Sequence, residues 1–235
     1  MEPDALGLTQ KRRRLHIIMQ IASISSAGLA YVLAVINARA VPGLDSAAVI
    51  PAAVHADAVY EEGLSDLKRD GLLAPGARAN TWTLSEDLLT AVMIMAGAEF
   101  VTRAVRQTAG GDRVELGFLA GAQVAELIPL VNDRYQISLL DTPALLAQRA
   151  SALLQVGVTV GAGPVVDSAP TGQFVVARAA NGELVRARTA LAFGDTLSIE
   201  TGPAAGDRVS AALTPDALAG MLNAFVDANK GPAAR

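Results

Sequence analysis

Short turns between residues 100 and 140 constrain this chain to an antiparallel arrangement of strands. Four apolar, β-prone runs follow one another there, separated by turn signals at 109–112, 120–121 and 132–133. Hairpin-length connections join antiparallel neighbours, whereas parallel strands need crossovers of about a dozen residues or more. The region therefore predicts an antiparallel meander, with strands at Phe100–Thr108, Arg113–Leu119, Gln123–Val131 and Tyr135–Leu140.

The second half of the chain resembles the first. Its strand-like runs match the earlier block at an offset of about 60 residues and lie at Val156–Val160, Phe174–Arg178, Leu184–Thr189 and Thr196–Glu200. Each set leads to a helix that begins at a Thr-Pro pair, Thr142-Pro143 and Thr214-Pro215, with Pro in the first helical position. The sequence predicts an α+β fold: two quasi-repeated antiparallel β-meanders with flanking helices.

The segment before the first meander reads as a strand followed by three helices. A strand at Leu15–Ile21 precedes a helix capped by Ser25 or Ser26, and a second helix covers Asp57–Asp70. After a strand at Trp82–Leu84, Ser85 caps a helix whose apolar face is Leu88, Leu89, Val92, Met93 and Met95 or Ala96. We expect a flexible basic tail over 1–14, an N-terminal α+β half over 15–141 and a C-terminal α+β half over 142–235.

Residues 15–37 also raise the question of a membrane anchor. Lys11–Arg14 precede an apolar run over Ile17–Ile36 whose mean hydropathy, roughly +2, lies in the range of membrane spans. Gln20, several Ser residues and Gly28 interrupt this run near its centre. The interruption favours a buried strand and helix, with a membrane anchor as the alternative.

The residues that carry most enzyme chemistry are scarce. The chain has no Cys, so thiolate metal sites and cysteine nucleophiles are excluded, and its two His residues, His16 and His55, lie far apart in sequence without a nucleophile motif beside either. The glycines of Gly157–Pro164 match no phosphate-binding motif. We therefore expect no catalytic residue, no cofactor and no metal site, and a protein that is not an enzyme.

The charge balance argues against nucleic acid as a partner. The formal net charge is −4, whereas phosphate binding requires a basic surface. The helix over Asp57–Asp70, the Gly-Leu-Leu step after it and Trp82 together resemble a winged helix, so a DNA-binding regulator is an alternative. Five acidic residues against two basic ones make that helix a poor fit to phosphates.

The order of elements resembles a known family. The runs GLSDLKRDGLL, WTLSEDLLTAVMIMAGAEFVTRAV and VELGFLAGAQVAELI are similar in pattern to the EspG family of type VII (ESX) secretion chaperones. The resemblance implies a cytoplasmic, non-enzymatic chaperone that holds helical PE–PPE protein pairs soluble before export. It also implies partner-binding residues in a loop between strands and in a C-terminal helical region, here Gly110, Gly111 and Asp112, with Leu146, Leu153, Leu218 and Met221.

Composition is compatible with a binding role. Hydrophobic residues make up 51% of the chain but aromatic ones only 4%, so both the core and any exposed apolar surface must be largely aliphatic. An apolar groove with a polar rim would suit a helical partner. The same excess suits a homo-oligomer, so a structural or self-assembling module, anchored or not through 15–37, remains the second interpretation.

Overall fold

One antiparallel sheet of nine strands runs through the protein. The computed structural model describes residues 18–45, 56–78, 81–156, 169–201 and 207–230. The strands of this sheet are β1 (Ile18–Ser25), β4 (Phe100–Arg106), β5 (Arg113–Ala120), β6 (Gln123–Pro129), β7 (Arg134–Leu140), β8 (Gly172–Ala180), β9 (Glu183–Phe193), β10 (Thr196–Glu200) and β11 (Arg208–Ala212). A separate hairpin pairs β2 (Leu73–Pro75) with β3 (Trp82–Leu84).

The sheet consists of two meanders joined side by side. Its strand order is β1-β7-β6-β5-β4-β8-β9-β10-β11, so the first meander, β4–β7, meets the second, β8–β11, at the β4–β8 ladder. All pairings are antiparallel. The predicted α+β class with two antiparallel meanders is confirmed, and the two meanders share a single sheet.

The repeat has a longer offset than the sequence indicated. Pro215 follows Pro143 by 72 residues, and Gly172 follows Phe100 by the same number, so the offset of about 60 was wrong. This offset equates Arg103 with Val175, and these two residues face each other in the β4–β8 ladder. A local two-fold axis that is perpendicular to the sheet and passes between these two residues would exchange them, so equivalent residues must pair there. Such an axis also keeps the equivalent helices of the two halves on the same face of the sheet.

The helices begin where local chemistry predicts. They are α1 (Ser26–Val35), α2 (Ala56–Arg69), α3 (Glu86–Ala96), α4 (Pro143–Gln155) and α5 (Pro215–Asn229). Ser25 caps α1 by accepting a hydrogen bond from Gly28 N at 3.0 Å, and Thr214 caps α5 by accepting from Ala217 N at 3.2 Å. Ser85 and Thr142 occupy the N-cap positions of α3 and α4 without a side-chain capping bond.

The helices divide between the two faces of the sheet. We call the side that bears α1, α2 and α3 the front face and the side that bears α4 and α5 the back face. Residues alternate between the faces along each strand, so Phe118 enters the front core and Leu119 the back core. The back core extends under both meanders, since Phe174, Ala190 and Leu197 of the second meander pack beneath α4 and α5.

The front core stops near the middle of the sheet. Among the described residues, Ala179 is the single member of the second meander that packs against the front core. The front face of the first meander is covered by α3, which lies against β5, β6 and β7. The fold thus repeats its strands and its back helices, while its described front helices belong to the first half.

Some predictions differ from the structure or fall outside it. Of the apolar face expected for α3, Val92 and Met95 are buried, but Met93 is 58% exposed and Ile94 packs into the core in its place. The predicted strand at Val156–Val160 and the glycines up to Pro164 lie almost entirely outside the described residues, and the fourth described strand of the second meander is β11. The basic tail, His16 and His55 also lie outside them.

Candidate partner-binding surface

The loop between β4 and β5 projects from one end of the sheet. Gly110, Gly111 and Asp112 are exposed in it, as a contact loop requires. The turn is closed by Gly111 N donating to Thr108 O at 3.1 Å and by the Thr108 hydroxyl donating to Gly111 O at 2.5 Å. Gly111 has a φ of 107°, a conformation open to glycine and strained for other residues. The loop is therefore both accessible and conformationally defined.

The four apolar residues expected at the helical part of the surface are buried. Leu146 and Leu153 of α4 and Leu218 and Met221 of α5 are at most 7% exposed and belong to the back core. Leu146 rests on Gly117 of β5, where a Cβ atom would come within 2.5 Å of its Cδ2. The structure brings these four side chains together in one cluster, and their contacts hold α4 and α5 against the sheet.

The loop and the back helices meet at the same end of the sheet. Gln107 N, at the start of the loop, donates to Thr171 O beside β8 at 3.1 Å. A Cβ atom on the neighbouring Gly172 would meet Leu154 of α4 at 2.6 Å, so the last turn of α4 lies directly over this strand end. Gln155 Nε2 then donates to Leu213 O, just before α5, at 2.6 Å.

The front face of the second meander is the surface that sequence reasoning missed. Val175 and Leu191 point to it and are half-buried, and Leu184 at its edge is 47% exposed. Ser198 and Ser210 border this apolar centre on β10 and β11. No helix that the structure describes covers this region, which we call the open front face. One signal was present: β8 carries apolar residues on both of its faces, which is typical of a strand covered on both sides.

A second apolar depression lies between α3 and the outer strands. Met19, Ile94 and Leu139 contribute to a cavity of about 290 Å³ that opens to solvent. Ile18 and Met19 of the edge strand β1 are 43% and 44% exposed. This groove belongs to the first half, away from the loop predicted to bind a partner.

The titratable groups with the most altered environment lie beneath α4. Glu126 is 1% exposed and its Oε1 lies 2.5 Å from Arg149 Nε. Burial, opposed by the charge of Arg149, raises the pKa of Glu126 to about 7, and burial also raises the pKa of Glu115. Ser138 faces Glu126 across the β6–β7 ladder. The void beside them measures about 10 Å³, which leaves space for about one water and none for a substrate.

The described residues contain neither a metal-binding cluster nor a helix that could span a membrane. Within 18–45, 56–78, 81–156, 169–201 and 207–230, no group of three or more His, Asp or Glu residues could hold a metal ion. None of the helices found in those ranges has the length and apolar character that crossing a bilayer requires, and α1 has ten residues.

Comparison with solved structures shows a likeness that covers most of the chain. The chain is similar in structure to EspG5, the type VII secretion system chaperone of Mycobacterium tuberculosis, solved in complex with a PE25–PPE41 dimer. The TM-score is 0.56 at 11% identity, over 88% of this chain and 95% of that one. No protein-family model and no curated protein matches. The resemblance inferred from sequence is thus confirmed at the level of the fold.

Proposed function

We propose that this chain is a non-enzymatic, cytoplasmic, chaperone-like protein that holds a helical pair of secreted proteins of the PE–PPE kind. The likeness to EspG5, which spans nearly the whole of both chains, is the observation that carries the proposal. A chaperone of this kind needs an exposed surface that fits a helix and no reactive group. The open front face supplies such a surface.

The internal repeat supports the choice of surface. In the first meander, α3 covers the front of β5, β6 and β7 with Leu88, Val92 and Met95. The offset of 72 residues would place the counterpart of α3 at 158–168, a segment outside the described residues whose sequence contains the helix-disfavouring residues Gly161, Gly163 and Pro164. A partner helix on the open front face would take the place that α3 has in the first half.

The predicted contact residues divide into two roles in this proposal. Gly110, Gly111 and Asp112 lie at the loop end of the sheet, where a partner on the open front face would reach them. The second role is structural and belongs to the four buried residues of the back core, which fix α4 and α5 to the back of the same strands: Leu146, Leu153, Leu218 and Met221. The loop would therefore contact the partner directly, and the four buried side chains would keep its support rigid.

Co-purification tests the proposal. The chain is expressed with PE–PPE pairs encoded in its source genome. The molar mass of the complex is then measured by light scattering after size-exclusion chromatography. We expect a stable 1:1:1 complex with one or more of the pairs, together with a gain in their soluble yield. Failure of every pair to bind at micromolar concentrations would contradict the proposal.

The same measurements decide between the other interpretations. A homodimer or larger assembly that excludes the pair would favour a self-assembling module, and recovery in the membrane fraction would favour an anchor through 15–37. DNA binding at low salt would favour a regulator. Against the last, α2 exposes Asp57, Glu61 and Glu62, which would repel phosphates.

A further inference from the structure

A polar cleft lies between the C-terminal end of α5 and the strands β9 and β10. Its volume is about 390 Å³ and it opens to solvent on the back face, at the end of the sheet opposite the β4–β5 loop. Arg186, Arg188 and Thr201 contribute from the strands, and Phe225 and Asn229 from the helix. We call it the α5–β9 cleft. It is separate from the open front face.

The strand wall of the cleft concentrates positive charge. Arg186 and Arg188 are two residues apart on β9 and therefore point to the same face. Arg178 of β8 lies directly opposite Arg186 in the ladder, and like charges in that position repel each other. Arg186 Nη1 donates to Asn229 Oδ1 at 3.3 Å, whereas Arg188 makes no hydrogen bond or ion pair with any residue the structure describes.

The acidic residue of the cleft does not neutralise the positive charge of its arginines. Glu200 is the carboxylate among the lining residues, and its Oε1 lies 3.6 Å from Arg208 Nη2. Its charge is therefore shared with another arginine. The cleft remains cationic in a chain whose formal net charge is −4, so its sign is opposite to that of the molecule as a whole.

We propose that the α5–β9 cleft binds a small molecule carrying a doubly charged oxyanion, a phosphate monoester or a dicarboxylate. Guanidinium groups present paired N–H donors that match the oxygens of both groups. Arg186 and Arg188 would each take one edge of the anion, and Asn229 would hold Arg186 in position. Phe225 offers an apolar wall to the carbon part of the ligand.

Thermal unfolding and calorimetric titration of the isolated chain test this inference, which needs no protein partner. Inorganic phosphate and succinate are compared with chloride at equal ionic strength. We expect phosphate, succinate or both to raise Tm and to give saturable heats. The Arg188→Gln variant, and Arg186→Gln as a second one, should weaken the binding about tenfold or more.

Arg103→Gln is the matched control, because Arg103 is an exposed strand arginine on the front face. It removes the same charge and should leave the affinity for the anion unchanged. Binding by phosphate alone would indicate a phosphate monoester, and binding by succinate alone a dicarboxylate. Equal stabilisation by chloride, or equal binding by the wild type and both cleft variants, would overturn the inference.

Discussion

Glu126 shows how one buried carboxyl group can set the pH dependence of the fold. Burial raises its pKa from 4.5 to about 7, so between these values the folded chain holds a proton that the unfolded chain has released. Stability therefore falls as pH rises through this window and levels off above about pH 7. Each pKa unit corresponds to about 1.4 kcal/mol, so the loss is on the order of 3 kcal/mol.

The Glu126→Gln variant tests this reasoning, because it removes the titrating group but keeps its size. Urea unfolding at pH 5 and pH 8 should show that the free energy of unfolding has lost most of its pH dependence. A smaller dependence should remain, because burial also raises the pKa of Glu115. Glu200→Gln, at an exposed ion pair, is the control and should keep the wild-type dependence. If the free energy of unfolding of Glu126→Gln changed with pH as much as that of the wild type, the prediction would be contradicted. Arg149 would then keep Glu126 charged in the folded wild type throughout this pH range.

Single residues also mark the limit of sequence reasoning at the site. The family resemblance implied Leu146, Leu153, Leu218 and Met221 as contact residues, but the structure buries all four in the apolar stripes of α4 and α5. A stripe predicts that a helix packs against something, but it does not distinguish the chain's own sheet from a partner. That distinction depends on strands far away in the sequence, as Gly117 under Leu146 and Phe100 beside Phe225 illustrate.

At the scale of elements, the packing of α1 against α2 depends on one glycine. A Cβ atom at Gly63 of α2 would lie 2.2 Å from the carbonyl oxygen of Ala27 in α1, so the helices approach too closely for any side chain there. Gly220, on the outer side of α5, has open space around it. The two positions are matched, since both are glycines within helices.

Alanine substitutions at these positions should have opposite effects. Gly63→Ala should lower the free energy of unfolding by about 1–3 kcal/mol, because the helices must move apart. Gly220→Ala should raise it by about 0.5–1 kcal/mol, because alanine favours the helix. Urea unfolding measures both. A stabilised Gly63→Ala variant would show that α1 and α2 do not pack as closely as described.

The boundaries of most elements followed from local signals. Ser25, Thr142-Pro143 and Thr214-Pro215 place helix starts, and short turns place the strands, because these signals act within a few residues. The offset of the repeat was misjudged because similar turns recur along both meanders and allow more than one alignment. The pairing of Arg103 with Val175, which fixes the offset at 72, is a long-range contact that local signals do not contain.

At the scale of the whole molecule, the described helices cover the two halves of a symmetric sheet unequally. Two similar meanders carry similar back helices, but the described front helices cover only the first. This inequality could not be read from composition or periodicity, since it concerns which part of the sheet each described helix covers. The proposed binding of a helical partner depends on this feature.

The β4–β5 loop should contribute to that binding. Gly111→Arg adds a long side chain at the loop end of the open front face and should weaken the complex with a PE–PPE pair about tenfold or more. Gly121→Arg in the β5–β6 turn is the control, because both glycines have positive φ and open surroundings. Isothermal titration measures both affinities, and equal affinities would remove the loop from the contact surface.

The most direct test of the central claim is the affinity of a bound PE–PPE pair for a chain altered on the open front face. Leu184→Glu puts a charge on that face, whereas Val209→Glu puts one at an equally exposed strand position on the back. We predict that isothermal titration calorimetry will show an affinity about tenfold or more below that of the wild type for Leu184→Glu, and the wild-type affinity for Val209→Glu. Wild-type affinity for Leu184→Glu together with a loss for Val209→Glu would contradict the claim.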